Sequence, residues 1–178
     1  MHGQRAREAG GGRLARPAKD DTGGQADMRA AGIRPAWLRY CQPIGWILRL
    51  LTAGALITDA VVHLQDAYYY DPNTGSLLSE GELFRVQSGV AIAVAILVLA
   101  WPRWPSWVLA LLVTASAVGA VVTYTYVDLG PVAGLPSMYE PTWGPPGKLL
   151  SACAEGAGVV LSLAGLGWAL ARRRWLRA

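Results

Sequence analysis

Four apolar blocks divide this chain, at about Ile44–Leu64, Phe84–Trp101, Trp107–Val127 and Lys148–Ala171. Each holds 18–24 residues. At 1.5 Å rise per residue, about 20 residues of helix cross the roughly 30 Å hydrocarbon core of a bilayer. The pattern therefore predicts an all-α fold, a four-helix transmembrane bundle. A tight turn, Pro102-Arg103-Trp104-Pro105, joins the second and third blocks. The other two connections are loops of about 20 residues. The first contains the turn signal Asp71-Pro72-Asn73-Thr74-Gly75, and the second is rich in Pro and Gly between Gly130 and Gly147. Loops of that length in a compact protein serve as lids or binding surfaces, or as a partly ordered cap.

Small residues recur within the blocks. Gly156, Gly158, Gly165 and Gly167 lie in the fourth, and Ala115-x-x-x-Gly119, Ala152-x-x-x-Gly156 and Ala154-x-x-x-Gly158 supply small faces. Such residues let membrane helices approach closely. Residues 1–43 lack any periodicity and read as a disordered basic tail, with 172–178 as a second basic tail. No apolar run precedes residue 44, so a secretory signal is not expected, and Met28 opens a plausible shorter start.

Charge orients the bundle. The first tail carries eight Arg or Lys; Arg103 in the tight turn and Arg172, Arg173, Arg174 and Arg177 bring that side to thirteen. The two long loops bring only Arg85 and Lys148, against six acids: Asp66, Asp71, Glu80, Glu82, Asp128 and Glu140. Positive charge stays inside, so both termini are predicted to be cytoplasmic, in the plasma membrane, with both long loops extracytoplasmic. Arg49 can snorkel inward. Trp37, Trp46, Trp101, Trp104, Trp107, Trp168 and Trp175 fall at the inner interface. Tyr68, Tyr69, Tyr70, Tyr124, Tyr126, Tyr139 and Trp143 fall at the outer one, as amphipathic rings prefer.

Composition adds exclusions. The chain is 53% hydrophobic and 16% charged, with a net charge of +4. Its basic residues flank the spans instead of forming a patch, which argues against a nucleic-acid partner. Cys41 and Cys153 fall near opposite ends of the bilayer, too far apart for a disulfide. No CxxC or Cys/His cluster supports structural zinc or iron–sulfur ligation. No cofactor is specified, and a phosphate-binding loop or a nucleophilic triad is missing.

The candidate chemistry lies within the apolar blocks. Asp59, His63 and Asp66 are spaced i, i+4, i+7, one face of a helix; Lys148, Ser151 and Glu155 form a similar face. Asp59 sits seven residues from Asp66 and Glu155 seven from Lys148, so each acid lies roughly 10 Å below the outer edge of its helix. In an up-down bundle the first and last helices become plausible neighbours. Gln87, Ser88, Thr123, Tyr124 and Thr125 enter at the same level, whereas the inner half, Arg49 apart, reads as apolar. The asymmetry suggests an outward-facing polar vestibule. Two facing carboxylates repel, so one holds a proton at neutral pH unless His63, Arg85 or Lys148 supplies charge. Ionisable groups persist in hydrocarbon when paired, hydrated or functional. Asp59, His63, Glu155, Lys148, Arg85, Gln87 and Tyr124 are thus candidate ligand- or proton-binding residues. Asp59, His63 and Glu155 are also candidate ligands for a divalent metal, although a single imidazole does not specify one. Equally, Asp59–His63 and Lys148–Glu155 read as ordinary pairs that fix packing.

His63-Leu64, Gly81-Glu82-Leu83-Phe84 with Gln87, Glu140-Pro141-Thr142-Trp143, Lys148, Ser151 and Glu155 together resemble an uncharacterised actinobacterial group of small four-span integral membrane proteins. The resemblance covers about residues 44–171 and implies the fold and a membrane location, but no reaction. Arg85 replaces an apolar residue expected from that group, and Gln65-Asp66 is more polar than expected, which puts the vestibule entrance in question. The leading expectation is a non-enzymatic protein that binds a small ligand, cation or proton. One alternative is an accessory subunit of a larger membrane assembly, with a membrane-protein partner or further copies of the chain. Another is a membrane enzyme acting on lipid or quinone.

Overall fold

A computed structural model describes residues 36–145 and 147–175, with side chains between 43 and 174. The predicted tail before residue 36, and the side chain of Cys41, lie outside the described residues. The compact unit begins at Tyr40.

Four helices are present among the described residues: α1 (Ala36–Tyr70), α2 (Glu80–Ala100), α3 (Trp104–Tyr126) and α4 (Lys148–Trp175). All four are long and apolar enough to cross a membrane. The only β structure among these residues is two isolated bridges, Thr74–Ser79 and Val132–Leu135. The boundaries follow local chemistry. Ser79 caps α2: its hydroxyl accepts from the Glu82 N–H, and the Glu82 carboxylate accepts from the Ser79 N–H at 2.8 Å. Pro105 stands in the first turn of α3, where its missing N–H costs nothing. α1 is longer than its apolar block at both ends, and residues 36–43, expected to belong to the disordered tail, form its first turns. Polar residues do not stop it at Leu64, because His63 and Asp66 are partly sheltered while Gln65 is exposed.

Side-chain contacts arrange the helices in a ring. The Ser88 hydroxyl of α2 reaches the Ala60 carbonyl of α1 at 3.0 Å. α2 and α3 pack beside each other through their tight turn. Gly158 and Gly165 of α4 lie against Thr114 and Trp107 of α3, and Gly45 of α1 lies against the Trp168 ring of α4. The missing Cβ atoms provide this close approach. A hydrophobic cluster including Leu56, Val94, Val98, Trp107, Ala110 and Ala169 fills the end of the bundle nearer the termini and the tight turn.

That end is more polar than its sequence suggests. Thr52, Ser106, Thr114 and Ser162 are buried there, and Thr52 Oγ1, Ser162 Oγ, Arg49 Nε, Trp107 Nε1 and Trp168 Nε1 have no hydrogen-bond partner among the described residues. A single hydroxyl barely changes the hydropathy of an apolar run; which face it occupies decides its burial. At the margin of this end, guanidinium groups lie over indoles: Arg49 on Trp46, Arg103 on Trp101, Arg172 on Trp168 and Arg173 on Trp104.

The two long loops cover the opposite end and bind each other. The Leu77 N–H donates to the Gly134 carbonyl at 3.0 Å. Gly134 has φ +84°, and a Cβ there would meet the Leu77 side chain. Asn73 Nδ2 donates to Glu80 Oε2 (2.6 Å) and to the Ser137 carbonyl (2.9 Å), tying the first loop to α2 and to the second loop.

Candidate functional site

Helical spacing brings Asp59 and His63 onto one face of α1, and Ser151 and Glu155 onto one face of α4. The two faces meet. The Ser151 hydroxyl lies 2.8 Å from Asp59 Oδ1 and 3.0 Å from Glu155 Oε1. Asp59 is 2% exposed and Glu155 1%. The Asp59 carboxylate is held from three sides: Ser151, His63 Nδ1 at 3.0 Å, and Gln87 Nε2 of α2 at 3.4 Å. His63 Nδ1 also lies 3.0 Å from the Asp59 backbone carbonyl. Both of these acceptors require the imidazole hydrogen on Nδ1. The imidazole edge packs on Phe84 with a centroid separation of 4.9 Å.

Hydrogen counting constrains the trio. Ser151 has one hydroxyl hydrogen, so it donates to one carboxyl only. In the second contact its oxygen accepts, and the hydrogen comes from the carboxyl. The geometry is therefore complete when a proton resides between Asp59 and Glu155. Glu155 Oε2 remains buried without a partner among the described residues. An unmade hydrogen bond of that kind costs about 1–3 kcal/mol. Asp59, His63 and Glu155 each offer one donor atom, all within 4.8 Å of one another. Two carboxylates and one imidazole are donors suited to a proton or a divalent cation.

Above the trio lies a cavity of about 480 Å³, lined by residues of all four helices and of the second loop. Its ionisable lining is acidic on balance: Asp66, Glu80, Glu140 and Glu155 against His63 and Lys148. Tyr70, Phe84, Leu83, Val62, Val121 and Met138 supply apolar wall.

The predicted site residues divide into two sets. Asp59, His63, Glu155 and Gln87 come together, and Tyr124 lines the cavity from α3. Lys148 also lines it, but its ammonium is engaged elsewhere. It donates to the Glu140 and Thr142 carbonyls, at 2.5 and 2.8 Å, and lies 5.3 Å from the centre of the Trp143 ring. It pins the second loop and is not placed as a partner of Glu155. Arg85 is not in the cavity lining. It forms a bidentate pair with Asp71, both contacts 2.7 Å, on the exposed flank of the first loop. That guanidinium holds the Asp71 carboxyl below the usual range. An i+14 pairing through a loop leaves no trace in helical spacing, which explains the difference. Sequence spacing placed Ser151 on the right face without marking it as the bridge. Asn73 and Glu80 gave no more signal than turn and cap residues give.

No family model, curated protein or solved structure matches this chain.

Proposed function

We propose that this chain is a plasma-membrane protein that binds a cation, or a proton in its place, at Asp59 and Glu155. Both termini are cytoplasmic and both long loops extracytoplasmic, so the site faces outward. It belongs with the actinobacterial four-span group it resembles. The observation that carries the reading is the Ser151-bridged carboxyl pair with Glu155 Oε2 left unpartnered at the base of an acidic cavity. Among the described buried polar atoms without a partner, Glu155 Oε2 is the carboxylate oxygen, and Glu155 lines the cavity from which a partner would come. Here an incoming cation displaces the shared proton and supplies the missing partner. His63, anchored on Asp59, orients that carboxylate, and Gln87 fixes its other oxygen. The arginine–indole contacts at the terminal end support the orientation, since cationic anchors are enriched at the cytoplasmic face.

The test uses the full chain in lipid nanodiscs. Thermal stability is followed against pH and against Na⁺, Ca²⁺, Mn²⁺ and Zn²⁺. A saturable shift with a cation or with protons is expected, and Asp59→Asn and Glu155→Gln should each abolish it. Wild-type protein indifferent to every cation and to pH would refute the site.

A second reading, an accessory subunit, is favoured by one observation. Ala115 and Gly119 are both exposed on α3, a small-residue face open to another span. It predicts a stoichiometric partner on purification in mild detergent; a clean monomer counts against it.

A further inference from the structure

The cavity is not walled off along α2 and α3. Val86 and Val90 of α2 are 59% and 44% exposed, yet both line it, as do the exposed Ser116 and Ala120 of α3. The buried positions of α3 explain the gap. They are Ser106, Trp107, Ala110 and Thr114, and then none until Thr125. The half of α3 nearer the tight turn is buried against its neighbours, whereas in the half nearer the loops Ala117, Val118, Val121 and Tyr124 are only partly covered and Ser116, Gly119 and Ala120 are exposed. The cavity occupies that space. Its loop end is covered: Leu135, Met138 and Glu140 lie over it. They are secured by the Glu140 N–H to the Tyr124 carbonyl at 3.0 Å and by Lys148. The side window between α2 and α3 thus opens at the depth of acyl chains, lined by small and aliphatic side chains.

Resting on the cation-site reading above, we infer that the ligand is a hydrophobic cation. It enters laterally from the outer leaflet between α2 and α3, with its positive centre toward Glu155 and its hydrocarbon body along Val86, Val90 and Ala120. Three features select this class. The volume, about 480 Å³, suits a drug-sized molecule and far exceeds a bare ion. The acidic lining excludes anions. The window is apolar, so a ligand already dissolved in the bilayer reaches the site without crossing the bound loops. Lipid amines and amphiphilic quaternary ammonium compounds share this chemistry.

The probe is tetraphenylphosphonium, a cation with a bulky apolar shell. Its binding to the full chain in nanodiscs is measured by titration calorimetry, with empty nanodiscs subtracted, and compared with tetraphenylborate, which has the same shape and opposite charge. Saturable binding of the phosphonium alone is expected. Glu155→Gln should weaken it by about thirtyfold or more, the effect of removing one partner of a buried charge pair. Ala120→Trp, at an exposed position outside the packed core, should abolish or sharply slow binding while the ligand-free melting temperature holds. Equal binding of the borate, or phosphonium binding indifferent to Glu155→Gln, overturns the inference. So does a filled window at Ala120 that leaves both affinity and association rate unchanged. Stabilisation by small cations or protons without any phosphonium binding overturns the inference and leaves the cation site standing. Absence of both responses overturns the two together.

Discussion

Replacing Glu155 by Gln separates a binding site from a packing device, because the two readings give opposite signs. Glu155 and Asp59 present donor atoms within 4.8 Å of each other. Two ionised carboxylates at that distance would repel by about 3 kcal/mol at an effective dielectric of about 20, so the ligand-free pair keeps its shared proton, and that sum bounds what keeping it costs at neutral pH. A hydrogen bond contributes about 1 kcal/mol net, and an interhelical one in a membrane averages about 0.6 kcal/mol. Holding that proton, and burying Oε2 without a partner, together offset what the contact of Glu155 with Ser151 contributes to the ligand-free fold. An amide of the same shape needs no added proton and gives Asp59 or Ser151 a permanent N–H donor. Ligand-free Glu155→Gln should be at least as stable as wild type, by up to about 1–3 kcal/mol. At about 2–4 °C per kcal/mol, that is a rise of several degrees in melting temperature in nanodiscs. The same variant should lose cation binding. A melting temperature several degrees below wild type would refute the reasoning, because it would make Glu155 net glue between α1 and α4.

Ser151→Ala should do the reverse. It removes the hydroxyl that Glu155 Oε1 meets while leaving both acids in place, for a loss of about 1–3 kcal/mol readable as a lower melting temperature. Gly165→Ala should cost about 1–3 kcal/mol by overpacking, since its Cβ would meet the fully buried Trp107 ring, whereas Gly167→Ala faces open space and should be neutral or slightly stabilising. Arg85→Ala should leave cation binding unchanged, because Arg85 is paired with Asp71 outside the cavity. The Asp71 carboxyl is depressed in the folded chain by Arg85, so the pair's contribution is present above the ordinary carboxylate range and fades as pH falls through the lowered value. Screening at this exposed position keeps the effect small, and a chemical-denaturation series on Asp71→Asn across acidic pH should show a shallower acid loss than wild type. A cysteine placed at Ala133, in a Cys-free background, should react with an impermeant maleimide added outside intact cells; labelling only after lysis would invert the proposed topology.

The sequence by itself determined the helices. Apolar runs of about 20 residues, punctuated by Pro and Gly, admit few other structures, because backbone polar groups in hydrocarbon must be satisfied within each segment. It also determined which residues share a helix face, since 3.6 residues per turn converts spacing directly into angle. That placed Asp59 with His63, and Ser151 with Glu155, before any contact was known. What it left open was rotation and partnership between helices. Only the packing of Gly45, Gly158 and Gly165 against Trp168, Thr114 and Trp107 sets how α4 turns toward its neighbours, and so whether Ser151 meets Asp59. Glycine spacing announces close approach but not which bulky side chain fills the space. Tertiary structure likewise decided that Arg85 and Lys148 serve the loops. Their charge is visible in sequence, but the carbonyls and the carboxylate that claim it come from segments with no periodicity to read. The side window arises the same way. It depends on which positions of α3 its neighbours cover, a property of how helices pack rather than of either helix alone.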